Sequence, residues 1–232
     1  MVREARKKRF VAAVVVCAAG VLTSAFADAA GDTALPRGLG LPALIEPADN
    51  PSTPDKIGLG RELFFDKRLS GDGKISCATC HDPDRAFADG KPVAEGIDGR
   101  RGNRNTPTVI DAAYNAAQFW DGRRKTLEEQ VLDPMFDANE HGMRSRDDLI
   151  RLIRDDAGYA ARFEKVFGIE PTRITPVEVS RALAAFVRSL VSGNSPADRY
   201  LYGGDKTALS SEQIRGLDVF RGGAQCASCH RS

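Results

Sequence analysis

The sequence predicts an all-α fold, on three observations. Apolar residues recur at helical spacing in several segments that open on a capping residue. No stretch alternates apolar and polar residues as a half-buried strand would. The pattern Gly60-x-x-Leu63-Phe64 ahead of "CATCH" returns as Gly216-x-x-Val219-Phe220 ahead of "CASCH", which reads as a duplicated helical module.

The elements follow in order. Arg3, Arg6, Lys7, Lys8 and Arg9 precede an apolar run from Phe10 to Leu22, and "TSAFADAA" comes next. That is the order of a secretory signal, with Ala25-Phe26-Ala27 as its cleavage site. The run falls short of the roughly 20 residues that cross a bilayer. Cys17 does not mark a lipoprotein, because Val16 stands where a small residue would be wanted. Residues 1–27 are therefore read as a signal peptide and the mature chain as exported, with no stable membrane span. Residues 28–52, rich in Pro, Gly and Ala, form an extended lead-in.

From Thr53-Pro54 a helix is predicted through "DKIGLGRELFFDKRL", with Leu59, Leu63 and Phe64 on its apolar face. "SGDGK" is a turn before the first cysteine pair. Residues 82–108 read as one ordered loop, a length that in a compact domain points to a site. "TLEEQVL" opens with Thr126 and Glu129 as a capping box. "SRDDLIRLIRDD" and "GYAARFEKVFG" are two amphipathic helices, the second ended by Gly168-Ile-Glu-Pro171. The strongest helix runs from Thr175 to Ser192, with a Thr175/Glu178 capping box, Pro176 in the first turn, and Val179, Leu183, Phe186, Val187 and Leu190 on one face. "NSPADRYLYGGD" is a linker, and "LSSEQIRGLDVFRGG" leads into the second motif.

With 42% hydrophobic and 28% charged residues and a net charge of +1, nothing in the composition points to nucleic acid. The chemistry lies in the cysteines. Without the signal, four remain, as the pairs Cys77/Cys80 and Cys226/Cys229. Two disulfides, a redox CxxC and a four-cysteine zinc site all compete with covalent haem. The histidines decide. Of three in the chain, His81 and His230 each directly follow a pair, giving two copies of the c-type haem signature. Two thiols on one helical turn reach both vinyl groups, and the adjacent imidazole meets the iron.

The segment from Gly58 to Asp121 resembles the bacterial di-haem cytochrome c peroxidase family, which includes the methylamine-utilisation (MauG) group. "LGRELFFDKRLSGDGKISCATCH", "GRRGNRNTPTVIDAAYNAAQFWDGR", "NSPADRYL" and the closing "CASCH" carry the resemblance, over nearly the whole mature chain. It implies two cytochrome c-like domains with one haem each, at residues 53–193 and 194–232. It also implies periplasmic reduction of hydrogen peroxide to water. Electrons come from a small cytochrome c or copper protein, enter at the second haem and pass to the N-terminal one. Pairing into a homodimer is left open.

Site residues follow from the same resemblance. Gln130 and Glu140 match the family's distal glutamine and glutamate, and Trp120 matches the tryptophan between the haems. Acid–base help of that kind contributes about 10² to 10⁴ in rate. The bland alternatives are a surface position for Gln130 and a core anchor for Trp120. Asn105 matches a calcium-binding asparagine, against a plain Asx-turn.

Two positions depart from the family. Where some members carry a distal histidine this chain has Ile97, so the first haem is expected to rest five-coordinate or water-bound. Where the family has a methionine this chain has His141, read as a solvated loop residue in preference to a proton relay or ligand. The second site shows only Cys226, Cys229 and His230. The family's distal methionine comes later than Ser232, and Met135 and Met143 are poor substitutes, so the second domain reads as incomplete and the chain as truncated. Two readings stay beside the peroxidase: a plain electron-transfer cytochrome and a MauG-like oxidase of a protein substrate.

Overall fold

The structure, a computed structural model, describes residues 38–230. The expected signal peptide and the first part of the lead-in lie outside them. The described residues are helical, with three isolated antiparallel bridges and no strand.

Helix α1 spans Pro54–Phe65 and begins where Thr53 accepts a hydrogen bond from the Lys56 amide. It buries Leu59, Leu63 and Phe64. Its main partner is the helix over Pro176–Ser189, here α7, which buries Val179, Ala182, Leu183, Ala184, Phe186 and Val187. Small residues set the approach: a Cβ on Gly60 would overlap the Ala182 carbonyl oxygen. The predicted capping box is present, since the Thr175 amide donates to the Glu178 carboxylate at 2.8 Å. The helix ends three residues earlier than predicted, at Ser189, and Leu190 closes it.

Between these two lie α2 (Cys77–Cys80), α3 (Leu127–Gln130), α4 (Asp133–Phe136), α5 (Arg146–Asp155) and α6 (Ala157–Phe167). Ser145 and Asp156 cap α5 and α6, and Gly168 in the left-handed region ends α6, as predicted. The box at Thr126 is only half formed. Thr126 accepts from the Glu129 amide, but the Glu129 carboxylate turns to the Lys125 amide at 2.8 Å. That segment gives two one-turn helices, because Pro134 has no amide to continue the ladder.

The lead-in is anchored by a polar network that the sequence did not announce. Asn50 is fully buried; its amide nitrogen donates to Glu128 at 2.7 Å and its oxygen accepts from Lys56 Nζ at 2.9 Å. Arg188, buried on α7, pairs with the same Glu128.

Beyond α7 the chain makes α8 (Pro196–Leu201) and α9 (Ser211–Arg221), neither of which buries a residue. Val219 and Phe220 on α9 are 58% and 38% exposed, where their counterparts Leu63 and Phe64 are 0% and 2%.

Candidate functional site

The first cysteine pair sits on the single turn α2, started by Ser76, whose amide donates to Thr79 Oγ1 at 2.9 Å. Cys77 and Cys80 are free, half-buried thiols. Burial pushes Cys77 up to about 12 and Cys80 up to about 11, with the Glu140 charge adding to both. Both are therefore neutral at physiological pH.

His81 closes the turn, its amide donating to the Cys77 carbonyl at 2.8 Å. Its Nδ1 lies 3.1 Å from the Phe87 carbonyl oxygen. A carbonyl only accepts, so the proton is on Nδ1 and Nε2 keeps its lone pair. Burial lowers the His81 pKa, against the Phe87 and Pro107 carbonyls and the Asp89 charge, so the ring is neutral and able to ligate. The Phe87 carbonyl is aimed by two successive left-handed residues, Ala86 and Phe87, at φ 54° and 55°. Such conformations cost about 1–3 kcal/mol each and tend to occur at functional sites. Phe64 packs 6.3 Å from the His81 ring, and Phe87 and Phe186 surround Phe64.

Loop 137–142 faces this turn. The Ile97 amide donates to the Glu140 carbonyl at 2.8 Å, and a Cβ on Gly96 would overlap the Asn139 and Glu140 carbonyls, so the two loops are in close contact. Glu140 is half-buried, with its pKa raised, first by desolvation and then by Asp137 and Asp133, against Arg123. Its charge is felt at both thiols, so this predicted residue does reach the site. Ile97 is buried beside it.

Gln130 ends α3, half-buried, and its side chain makes no hydrogen bond among the described residues. Trp120 is 59% exposed, so it is no core anchor; its ring is fixed by a 3.1 Å bond from Nε1 to the Asn105 carbonyl. That carbonyl is thereby engaged, and no group of three or more acidic, His or Cys side chains suited to a metal occurs among the described residues. The calcium expectation at Asn105 rests on the resemblance alone. His141 corrects the sequence reading. It is 4% exposed, with Nδ1 held 2.9 Å from the Leu69 carbonyl, and is not solvated. Leu69 lies 72 residues away in sequence, which is why no local signal marked this burial. Met135 and Met143 are core residues, packed in the cluster around α1 and α7.

The second motif repeats the first in small. The His230 amide donates to Cys226 at 2.9 Å, and Phe220 lies 6.4 Å from the His230 ring. What differs is burial: Cys229 and His230 are exposed.

A family model described as "Di-haem cytochrome c peroxidase" matches residues 54–207, the region holding the first motif, loop 82–108 and loop 137–142. This chain belongs to that family. The methylamine utilization protein MauG of Methylorubrum extorquens is 39% identical over 219 residues, 94% of this chain and 61% of that protein. The cytochrome-c peroxidase IdrP1 of Denitromonas iodatirespirans is 39% identical over 222 residues, 94% of this chain and 57% of that protein. Among solved structures, a MauG-like protein associated with microbial copper homeostasis superposes with a TM-score of 0.72 at 35% identity, covering 85% of this chain and 59% of that one. The di-haem peroxidase BthA of Burkholderia thailandensis gives 0.66 at 31%, covering 77% and 49%. The chain thus spans 55–61% of the length of the first curated relatives it matches. The helical fold, without strands among the described residues, and the paired CxxCH motifs agree with this family.

Proposed function

We propose that this chain carries the peroxide-reducing haem of a periplasmic di-haem peroxidase. Cys77, Cys80 and His81 would hold the first haem, the cysteines as thioethers and His81 through Nε2; Cys226, Cys229 and His230 would hold the second in the same way. Bound there, haem supplies an iron that takes up peroxide and delivers electrons to its O–O bond. The protein's part is acid–base and positional. Glu140 holds or releases a proton beside the peroxide, with Gln130 as a hydrogen-bonding partner. Ile97 has no ligating atom, so that position of loop 82–108 would leave a bound iron open to peroxide. Trp120 would lie on the electron path from the second haem, and a small cytochrome or copper protein would be the donor.

The observation that carries this reading is the convergence of Glu140 on the Cys77–His81 turn, with its carboxyl desolvated and its pKa raised. Perturbed carboxyls concentrate at functional sites, which favours peroxide chemistry over plain electron transfer. Oxidation of a protein substrate stays as a second reading, because the MauG and peroxidase relatives are equally similar at 39% and Trp120 is exposed. The test is peroxide-dependent oxidation of a reduced small cytochrome by the haem-loaded chain. Glu140→Gln should lower turnover about a hundredfold or more. Unchanged turnover would remove Glu140 from the chemistry, and no peroxide turnover in the haem-loaded parent would remove the peroxidase reading.

A further inference from the structure

We propose that Thr106 and Thr108 form a clamp that positions His81, their hydroxyls holding the backbone whose carbonyls face the His81 imidazole. This rests on the reading of His81 as the iron ligand.

The clamp joins the two ends of loop 82–108. Thr106 Oγ1 donates to Asp89 Oδ2 at 3.0 Å, and Thr108 Oγ1 donates to the Ala86 carbonyl at 2.6 Å. The pairing runs 106 to 89 and 108 to 86, so the two bonds bracket Phe87 on one segment and Pro107 on the other. The Phe87 carbonyl lies 3.1 Å from His81 Nδ1, and the Pro107 carbonyl acts on the same ring. Thr106 and Asp89 are both buried. The other Asp89 oxygen accepts from the Lys91 amide at 2.9 Å, which fixes the orientation of the carboxylate.

Backbone strain is a second, independent observation. Ala86 and Phe87 both occupy the left-handed region, at φ 54° and 55°, and neither is glycine. Such conformations persist where the surrounding structure over-determines them. The Phe87 amide donates to the Asp82 carbonyl at 2.8 Å and the Asp82 amide to the Ala88 carbonyl at 3.3 Å, which closes the turn on itself. The threonine bonds then tie that turn to the far end of the loop. A ligating imidazole is oriented and made more basic by the partner of its other nitrogen, and losing such partners typically costs about 10–100-fold in metal affinity or activity. A carbonyl held firmly on Nδ1 therefore strengthens donation through Nε2 and favours ferric over ferrous iron. Thr106 and Thr108 act through the carbonyls and are positioning residues.

The full chain is loaded with haem in a Cys226→Ala/Cys229→Ala background, so that one haem is read. Resonance Raman of the ferrous form gives the iron–histidine stretching frequency, and a redox titration gives the midpoint potential. Thr106→Val and Thr108→Val keep the side-chain shape without the donor. Each should lower the frequency and raise the potential, by about 59 mV where the preference for ferric iron weakens tenfold. Thr106→Ser and Thr108→Ser keep the hydroxyl and should restore both. Unchanged frequency and potential in the valine variants would overturn the clamp. Equal shifts in the serine variants would overturn it too, by tracing the effect to packing. Thr108 is exposed, so if Thr106→Val takes up no haem, Thr108→Val decides by the same two quantities. A parent without an iron–histidine band, or a band that survives His81→Gly, would overturn the ligand reading and this proposal with it.

Discussion

Phe64 lies 6.3 Å from the His81 ring, and Phe220 stands in nearly the same relation to His230, at 6.4 Å. The two modules share a local design and differ in what surrounds it. Phe64 is 2% exposed against α7, while Phe220 is 38% exposed. Phe64→Ala should therefore destabilise the chain by about 3–5 kcal/mol, as for other buried phenylalanines. Phe220→Ala should stay within about 0.5 kcal/mol, the usual range for surface changes. Denaturant unfolding of both variants checks this, and similar losses would show that α9 has a core of its own.

The two helical glycines of the repeat make a second matched pair. At Gly60 an added methyl meets the Ala182 carbonyl, so Gly60→Ala should cost about 1–3 kcal/mol through forced separation of α1 and α7. At Gly216 nothing lies within 4 Å of the added carbon. There the helix preference of alanine dominates, and Gly216→Ala should stabilise by about 0.5–1 kcal/mol. Thermal melts of the two variants should move in opposite directions.

Glu140 makes stability depend on pH. Its carboxyl is held above the ordinary range by desolvation and by Asp137 and Asp133. The folded chain thus binds that proton more tightly than the unfolded chain. The linked stability is full below the ordinary carboxylate pKa and is lost as pH rises through the folded pKa. Glu140→Gln removes this titration. Relative to the variant, the parent should lose stability between acid and neutral pH, read as denaturant midpoints at several pH values. Parallel pH profiles would show that the carboxyl is not perturbed.

Much of this was legible in the chain because it is local. Caps at Thr53, Ser145, Asp156 and Thr175 act within one helical turn, and α1, α5, α6 and α7 follow from them. The half-formed box at Thr126 shows the limit, since Glu129 found the Lys125 amide instead. Trp120 shows another: the core-anchor alternative weighed for a lone tryptophan is not met, since its ring lies outside, held by Asn105.

The sequence by itself determined most of the helices, the two CxxCH motifs and the carboxylate at 140, because each depends on residues a few positions apart; it missed α8, which lies in the segment read as a linker. Tertiary structure alone decided the rest. It buried His141 under the carbonyl of Leu69, 72 positions away, and tied Asn50 to Glu128 across 78. It also gave Phe64 and Phe220, alike in sequence context, opposite environments. Burial is a property of which distant segments meet, and in one module α7 covers the repeat while in the other none of the described residues does.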